Sequence, residues 1–106
     1  MQINFQDISP RERYKLLSST VIPRPIALVS SRGLDGVDNA APYSFFNVFS
    51  EDPPIVILGL QNKDDGSPKD TTRNILETSE FVVNLIDRKM AEAMNNCAVD
   101  FPPEVS

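Results

Sequence analysis

The alternation of apolar runs and turn residues in the first part of the chain predicts one short helix and then strands. Ser9 precedes Pro10 in the pattern of a helix start, with Glu12 placed to complete a capping box, and the helix is expected to end near Leu17. Two prolines exclude a helix in the next segment, and residues 26–31 have the aliphatic, partly β-branched composition of a strand.

Two more strands are predicted behind a glycine-containing turn. Residues 37–49 are expected to run back antiparallel to the first strand, with an edge or a bulge at Pro42, because proline donates no hydrogen bond to a neighbouring strand. Residues 55–60 form an unbroken apolar run, which predicts a strand buried on both faces. Three consecutive strands of this kind are typical of a meander.

A polar loop separates these strands from a second predicted helix. Asp70 or Thr71 is placed to cap this helix, and residues 77–80 are expected to end it. Its apolar positions Ile75 and Leu76 are expected to point inward.

The last predicted elements are a strand over residues 81–86 and a helix from Arg88 to about Asn96, capped by Asp87. Strands outnumber the short helices, so the fold is predicted to be mainly β. Apolar residues on both faces of the strands leave open edges that a closed barrel or a dimer has to cover.

Length and composition predict a single soluble domain over residues 1–106. Hydrophobic residues make up 41% of the chain and charged residues 24%, values that disfavour disorder and a fibrous class. The net charge of -5 argues against binding to nucleic acid or to an anionic membrane. One cysteine, Cys97, and the lack of an apolar signal segment or membrane span predict a reducing, cytoplasmic setting.

The residue inventory removes several kinds of chemistry. The chain has no histidine and Cys97 has no metal-ligating companion, which excludes a zinc site and a Cys-His nucleophile built from these residues. Asp64 and Asp65 stand in a turn-rich loop, where a solvated turn is favoured over a calcium site. No catalytic side chain and no metal ligand is therefore assigned.

The segment 39–47 mixes small, hydroxyl and aromatic residues within a predicted strand, which suits a flat ligand with a polar edge. The Ser44 hydroxyl and the N–H groups of an irregular strand are donors for a heterocycle with several carbonyls. The alternative is that the aromatic residues of this segment, with Phe49, are core residues of a small barrel. By the two-residue period of a strand, Ser44 is expected on the same face as Pro42 and Phe46.

A second candidate site lies where the loop enters the second helix. A helix start binds anions through its N–H groups and dipole, and here Lys69 and Arg73 add charge while Thr71 and Thr72 add hydroxyls, so a phosphate monoester suits the position. The alternative is a plain capped helix with a solvated basic face. Further candidates for pocket walls or phosphate contacts are Arg24, Ser30, Ser31 and Arg32.

In their order and spacing, the motifs of this chain resemble the flavin reductase-like, FMN-binding split-barrel family that includes flavoredoxin. The similarity runs from about Tyr14 to the end of the chain, and several motifs in series make it specific. They are Arg24-Pro25-Ile26-Ala27-Leu28-Val29-Ser30-Ser31, Asn39-Ala40-Ala41-Pro42-Tyr43-Ser44-Phe45-Phe46-Asn47, Asp52-Pro53-Pro54, Lys69-Asp70-Thr71-Thr72-Arg73-Asn74-Ile75 and Glu80-Phe81-Val82-Val83-Asn84-Leu85.

The resemblance implies a six-stranded split β-barrel with short flanking helices, which forms a homodimer and holds FMN near the dimer interface. It further implies that NAD(P)H or a protein electron donor reduces the flavin, which carries the redox chemistry while the protein binds and orients it. By position, residues 41–46 would face the isoalloxazine ring. Near the ribityl chain and the phosphate would lie Ser30, Ser31, Lys69, Asp70, Thr71 and Thr72.

Family members are nearly twice as long as this chain, and their later strands complete the barrel. Residues 1–106 are therefore expected to form a partial barrel, as the N-terminal part of a longer family member shortened at its C-terminus. The leading hypothesis is an FMN-binding oxidoreductase that uses NAD(P)H or a partner protein. The alternatives are an FMN-binding electron carrier without nicotinamide activity and a structural domain that has lost the site.

Overall fold

The structure, a computed structural model, describes residues 1–91, in which five strands are flanked by short helices. The chain is mainly β, as predicted. In chain order the elements are a 3-10 turn (Phe5–Asp7), helix α1 (Pro10–Thr20), strands β1 (Ala27–Arg32), β2 (Asp38–Tyr43), β3 (Phe46–Glu51) and β4 (Pro54–Leu58), helix α2 (Asp70–Thr78), strand β5 (Val82–Asn84) and a second 3-10 turn (Arg88–Met90).

Helix α1 starts where the sequence predicts. The Ser9 hydroxyl oxygen accepts a hydrogen bond from the backbone N–H of Glu12 at 3.2 Å, and Pro10 fills the first helical position. The helix continues to Thr20, past the predicted end near Leu17. Pro23 is the first residue beyond the helix start that disfavours helical backbone before it, so propensity alone does not stop the helix earlier.

Strand β1 is the centre of a three-stranded antiparallel sheet in the order β2-β1-β5. Leu28 lies opposite Pro42 on one side and opposite Asn84 on the other. Within residues 1–91, strand β2 therefore lies at an edge of this sheet, as predicted from Pro42. Successive side chains of β1 point to opposite faces, and Ala27 and Val29 lie on the buried face.

The predicted second strand is in fact two strands, so the meander prediction is wrong. Strand β2 ends at Tyr43, residues 44 and 45 break the extended run, and β3 pairs with β4 in a separate antiparallel sheet with a bulge between Val48 and Ser50. The prediction that residues 55–60 are buried on both faces is also wrong, because residues 54–57 are all exposed. A two-stranded sheet has apolar residues on both faces but too few neighbours to cover them.

The prediction for the packed face of helix α2 holds only in part, because Ile75 is half-buried but Leu76 is exposed. Leu76 is 76% exposed, whereas Thr71 and Asn74 are 1% and 2% exposed and face the sheet. The predicted cap at Asp70 or Thr71 is also wrong, since both residues lie inside the helix and Lys69 is the N-cap, without a side-chain hydrogen bond. These two polar residues can face the sheet because side chains on β1 and β2 form hydrogen bonds with them.

The last described elements are shorter than predicted. Strand β5 spans Val82–Asn84 rather than residues 81–86. Asp87 is a cap, as predicted, and its carboxylate accepts the Met90 N–H at 3.0 Å, but the element that it caps is a 3-10 turn, Arg88–Met90. The predicted helix beyond residue 91 lies outside the described residues.

A small core joins the two sheets. Ala27, Val29 and Tyr43 are buried at its centre. The half-buried apolar residues packed against them are Ala41, Phe46, Leu58, Leu60 and Val83. The sheets do not close on each other within residues 1–91, which agrees with the expected partial barrel.

Candidate functional site

Phe45 occupies the break between β2 and β3 and is held by residues from three other segments. Its ring stacks on Tyr14 of α1, with the ring centroids 5.7 Å apart, and the Arg24 guanidinium lies 5.5 Å from its centroid. The Gly59 N–H donates to the Phe45 carbonyl at 2.7 Å, and a Cβ at Gly59 would lie only 2.8 Å from the Phe45 Cβ. A glycine is therefore needed at position 59 for this approach.

Arg24 connects the same break to the end of α1. Its Nη1 donates to the carbonyls of Ser18 at 2.6 Å and Val21 at 2.8 Å, where the negative end of the helix dipole favours a cation. Its Nε donates to the Ser44 hydroxyl oxygen at 3.4 Å. Ser44 thus accepts from Arg24, and its own O–H is left to donate to another acceptor. The structure places Arg24 beside the predicted ring-binding residues rather than at the start of α2.

The six predicted ring-binding residues do not share one face. In β2, Ala41 and Tyr43 lie opposite Val29 and Ala27 on the core side, whereas Pro42 points to the other face. Tyr43 is 8% exposed and Phe46 packs against the core, so the alternative of core aromatics holds at these two positions. Phe49, by contrast, is 69% exposed and is not a core residue of the chain.

The start of α2 has backbone donors that no intrahelical acceptor and no side-chain cap satisfies. Lys69 caps the helix without a side-chain bond, and the first intrahelical backbone bond runs from the Arg73 N–H to the Lys69 carbonyl at 3.0 Å. The N–H groups of residues 70–72 therefore have no intrahelical partner. Arg73 lies 3.6 Å from the Asp70 carboxylate, so part of its charge is already balanced. Lys69, half-buried, stands at the positive end of the helix dipole.

Two amide-to-hydroxyl hydrogen bonds join α2 to the three-stranded sheet. Asn39 Nδ2 on β2 donates to Thr71 Oγ1 at 2.7 Å, and Asn74 Nδ2 on α2 donates to Ser31 Oγ on β1 at 3.1 Å. Both bonds are sheltered between the helix and the sheet. They place the predicted residues Ser31 and Thr71 at the joint between the two elements.

Ser30 lies on the opposite face of β1 from Ser31. It accepts a hydrogen bond from Asn84 Nδ2 on β5 at 3.1 Å, and the same amide donates to the Leu28 carbonyl at 2.9 Å. The two neighbouring serines are therefore oriented by different asparagines. The hydroxyls of Ser30 and Ser31, which were predicted to act together, therefore lie on different faces of β1.

Two buried polar atoms at α2 have no hydrogen-bond partner within residues 1–91. They are Thr72 Oγ1 and Asn74 Oδ1. An ideal Cβ on Gly33 would lie 3.1 Å from the Asn74 oxygen, so the β1–β2 turn closes over it. Burying a polar atom without a hydrogen-bond partner costs free energy. Both of these atoms lie in the first turns of α2.

A cleft of about 660 Å³ opens beside this joint. Its volume lies within the range of small-molecule sites. Asn39 lines the cleft and also donates to Thr71, so this side chain links the cleft wall to the first turn of α2. The lining residues come from β1, β2 and the approach to β5, and they are Ser30, Ser31, Arg32, Asp38, Asn39, Ala40, Glu80, Phe81 and Val82.

The charges of the cleft are partly balanced. Arg32 Nε lies 2.6 Å from Asp38 Oδ1, and the hydrogen bond from Arg32 holds the pKa of Asp38 below its ordinary value and raises the pKa of Arg32. Both groups are about two-thirds exposed, so solvent and salt screen the pair. Glu80 then leaves the wall with a net negative charge. A neutral, hydrogen-bonding group suits this wall better than a free anion.

Several residues of this region were given no contact in the predicted site, although Asn39 and Asn74 lie in its motifs. They are Asn39, Asn74, Asn84, Glu80 and Phe81. A signal for two of them was present, because asparagine is depleted in strands and Asn39 and Asn84 stand inside β2 and β5. Their roles depend on which strands pair, which the sequence pattern did not settle.

Within residues 1–91, no group of three or more histidine, cysteine, aspartate or glutamate residues is arranged to hold a metal ion. Over the same residues, no helix combines the length and apolar character that crossing a membrane requires.

Comparison with known families gives a match over most of the chain. Residues 18–106 match the family described as flavin reductase like domain. This chain belongs to the flavin reductase-like family. The resemblance inferred from the motifs is thereby confirmed, and membership of the family implies flavin binding.

A curated relative shows how much of a family member this chain represents. A protein of Halalkalibacterium halodurans, described as uncharacterised, is 45% identical over 106 residues, which is 100% of this chain and 51% of the relative. The flavin reductase-like chain thus spans about half the length of this relative, in agreement with the expectation that family members are nearly twice as long.

Solved structures give the same result for the fold. Component B of a nitrilotriacetate monooxygenase from Bacillus cereus superposes with a TM-score of 0.88 at 41% identity, over 98% of this chain and 51% of that one. The 2-nitrobenzoate 2-nitroreductase NbaA of Pseudomonas fluorescens gives 0.81 at 41% identity, over 98% and 50%. A flavin reductase with a split barrel domain from Shewanella frigidimarina, at 16% identity with a TM-score of 0.76 over 100% and 52%, supports the fold alone. The flavin reductase-like chain therefore has part of a split-barrel fold.

Proposed function

We propose that this flavin reductase-like chain binds FMN as part of an oxidoreductase that reduces flavin with NAD(P)H or a protein electron donor. The observation that carries the proposal is the uncapped start of α2, with Lys69 beside it, joined through Thr71 and Asn39 to a cleft of ligand size. Flavin binding follows from the family, and the choice of FMN rests on this anion-binding feature.

The start of α2 fits a phosphate group. Its free N–H groups, the helix dipole and the Lys69 ammonium all favour an anion, and charge-assisted hydrogen bonds to phosphate are stronger than neutral ones. The part-balanced pair of Asp70 and Arg73 adds little net charge. We propose that Lys69 and the first turn, including Asp70, Thr71 and Thr72, surround the phosphate.

The break between β2 and β3 fits the edge of a planar ring. Ser44 has a hydroxyl proton to donate, since its oxygen accepts from Arg24, and Phe45 is fixed between Tyr14 and Gly59. Residues 41–46 would contribute backbone groups and these side chains to the ring site. Ser30 and Ser31 on the cleft wall would contact the chain that joins the ring to the phosphate.

Bound FMN would supply the hydride and electron transfer. The residues of this chain would bind the cofactor, orient it and exclude water from one side. Because the chain spans half of its relatives, the electron donor, the acceptor, a homodimer and a cytoplasmic location are parts of the proposal for the whole protein. We also propose that residues 1–106 act as one domain that continues in the longer family member.

The test is to measure the affinity of the chain for FMN and for riboflavin by quenching of flavin fluorescence. We expect FMN to bind more tightly, and Lys69→Ala to weaken FMN roughly tenfold while leaving riboflavin unchanged, because only FMN carries a phosphate. Lys15→Ala, an exposed lysine of α1, is the matched control and should change neither affinity. Equal affinities for the two flavins would exclude phosphate recognition.

Oxidation of NAD(P)H is then followed by absorbance with bound FMN. Turnover would support the reductase, whereas bound FMN without turnover would identify an electron-carrier module. A chain that retains no flavin would overturn the proposal for these residues.

A further inference from the structure

Asn39 stands between the cleft and the start of α2, and it connects them. It lines the cleft and is half-buried, whereas its hydrogen-bond partner Thr71 is only 1% exposed. A ligand in the cleft can therefore contact Asn39 but cannot reach the Thr71 hydroxyl without moving the helix. Asn39 is therefore accessible to a ligand in the cleft, whereas Thr71 is not, although both residues belong to motifs of the family.

The Asn39 amide is held in one orientation. Its Nδ2 donates to Thr71 Oγ1 at 2.7 Å, which uses one of its two N–H groups. One N–H and the carbonyl oxygen of the side chain remain for a ligand. An alcohol group both donates and accepts hydrogen bonds, so a polyhydroxylated chain can use both.

The neighbours of Asn39 favour the same kind of ligand. Ser30 and Ser31 also line the cleft, although their hydroxyls lie on opposite faces of β1, and Glu80 adds a carboxylate acceptor. Arg32 is paired with Asp38 at 2.6 Å, so the charge of Glu80 leaves the wall net negative. This charge repels a phosphate, whereas the Glu80 carboxylate can accept hydrogen bonds from alcohols.

We infer that Asn39 contacts the polyhydroxylated chain of the flavin and that the Thr71 hydroxyl is a positioning group, which acts on that chain only through the Asn39 amide. The inference rests on the proposed function and divides its site into two parts. The cleft takes the neutral polyol, and the start of α2 with Lys69 takes the phosphate.

The test compares three flavins that share the ring: FMN, riboflavin, and lumiflavin, which lacks the polyhydroxylated chain. We expect Asn39→Ala to weaken FMN and riboflavin by the same factor, about fivefold for one lost hydrogen bond, and to leave lumiflavin unchanged. Lys69→Ala should instead affect FMN alone. The two variants thus separate the two parts of the site by the identity of the ligand rather than by overall affinity.

Thr71 is tested by a double-mutant cycle. Thr71→Val keeps the shape and removes the hydroxyl, so it should weaken riboflavin less than Asn39→Ala does, and the double variant should be no weaker than Asn39→Ala alone. Thr71→Ser restores the hydroxyl and should restore the affinity. Asn47→Ala, at an exposed asparagine of β3, is the matched control. Melting temperatures of all variants show whether a loss of affinity reflects unfolding.

A probe that is not a flavin keeps this inference separate from the proposed function. Ribitol is added at millimolar concentration, and the side-chain amide signals of Asn39 are followed by NMR in the wild type and in Thr71→Val. A shift of the Asn39 signals that Thr71→Val reduces supports the inference, even where no flavin binds and the proposed function fails. No shift, or an equal loss of lumiflavin in Asn39→Ala, overturns the inference even where FMN binds.

Discussion

Phe45 shows how a single residue can combine two roles that the sequence left as alternatives. Its ring is packed like a core aromatic, against Tyr14 and under Arg24, yet it lies at the break in the strand where a ring-binding site was predicted. The contact that makes this possible comes from Gly59, which the sequence pattern gave no role. Only a residue without a Cβ fits there, because the two backbones approach closely.

We expect Gly59→Ala to destabilise the chain by about 1–3 kcal/mol, as overpacked sites do. The added Cβ would lie 2.8 Å from the Phe45 Cβ, which is part of the main-chain framework and cannot rotate away. Thermal unfolding followed by circular dichroism measures the effect, expected as a fall in Tm of several degrees. A variant that melts at the wild-type temperature would show that the two residues do not touch.

At the scale of elements, helix α2 shows that an amphipathic pattern need not place every apolar residue inward. The residues that face the sheet are Thr71 and Asn74, which find partners on β2 and β1, and Leu76 is turned outward. The existence of the helix follows from local sequence. Its orientation follows from hydrogen bonds across about 30 to 45 residues of chain, which no local pattern encodes.

A pair of substitutions in α2 tests this orientation. Asn74→Ala removes a buried hydrogen bond to Ser31 and should cost about 1–2 kcal/mol, whereas Leu76→Gln changes an exposed residue and should stay within about 0.5 kcal/mol of the wild type. Urea unfolding of the two variants gives both values. A larger loss for Leu76→Gln than for Asn74→Ala would mean that the helix is rotated.

At the scale of the whole molecule, the hairpin of β3 and β4 carries several uncovered apolar side chains. Val48 lies opposite Val56, and these side chains are 68% and 43% exposed. Phe49, Ile55 and Ile57 are exposed as well, so both faces of the hairpin carry apolar groups. The homodimer that the family resemblance implies would cover such a surface, and it stays a prediction.

We expect the chain to associate with itself through this hairpin and expect the paired change Val48→Thr with Val56→Thr to weaken that association. Threonine keeps the shape and the strand preference of valine while making the surface polar. Sedimentation equilibrium of the two proteins gives the dissociation constants. Leu34→Thr, at an exposed residue outside the hairpin, is the control, and an equal effect of both changes would argue against the hairpin as the interface.

Much of the fold could be read from the sequence, but the candidate site only in part. The start of α1, the edge position of Pro42 and the mainly β class follow from proline, capping residues and β-branched runs, which act within a few residues. The break at residues 44 and 45 was not predicted, because each residue of the segment is compatible with a strand. The directions of the Ser30 and Ser31 side chains were not predicted either, because they depend on the pairing of β1 with β2 and β5.

The sequence by itself determined the family, the class of secondary structure and a helix start with a cation beside it, because serial motifs and local backbone preferences reside in the chain. Only the tertiary structure decided that Asn39, Thr71, Asn74 and Ser31 form a joint beside a cleft, and that Phe45 is held by Gly59 and Arg24. The physical reason is distance along the chain. These contacts depend on strand register and on packing between elements, so they form only when the strands and helices pack together.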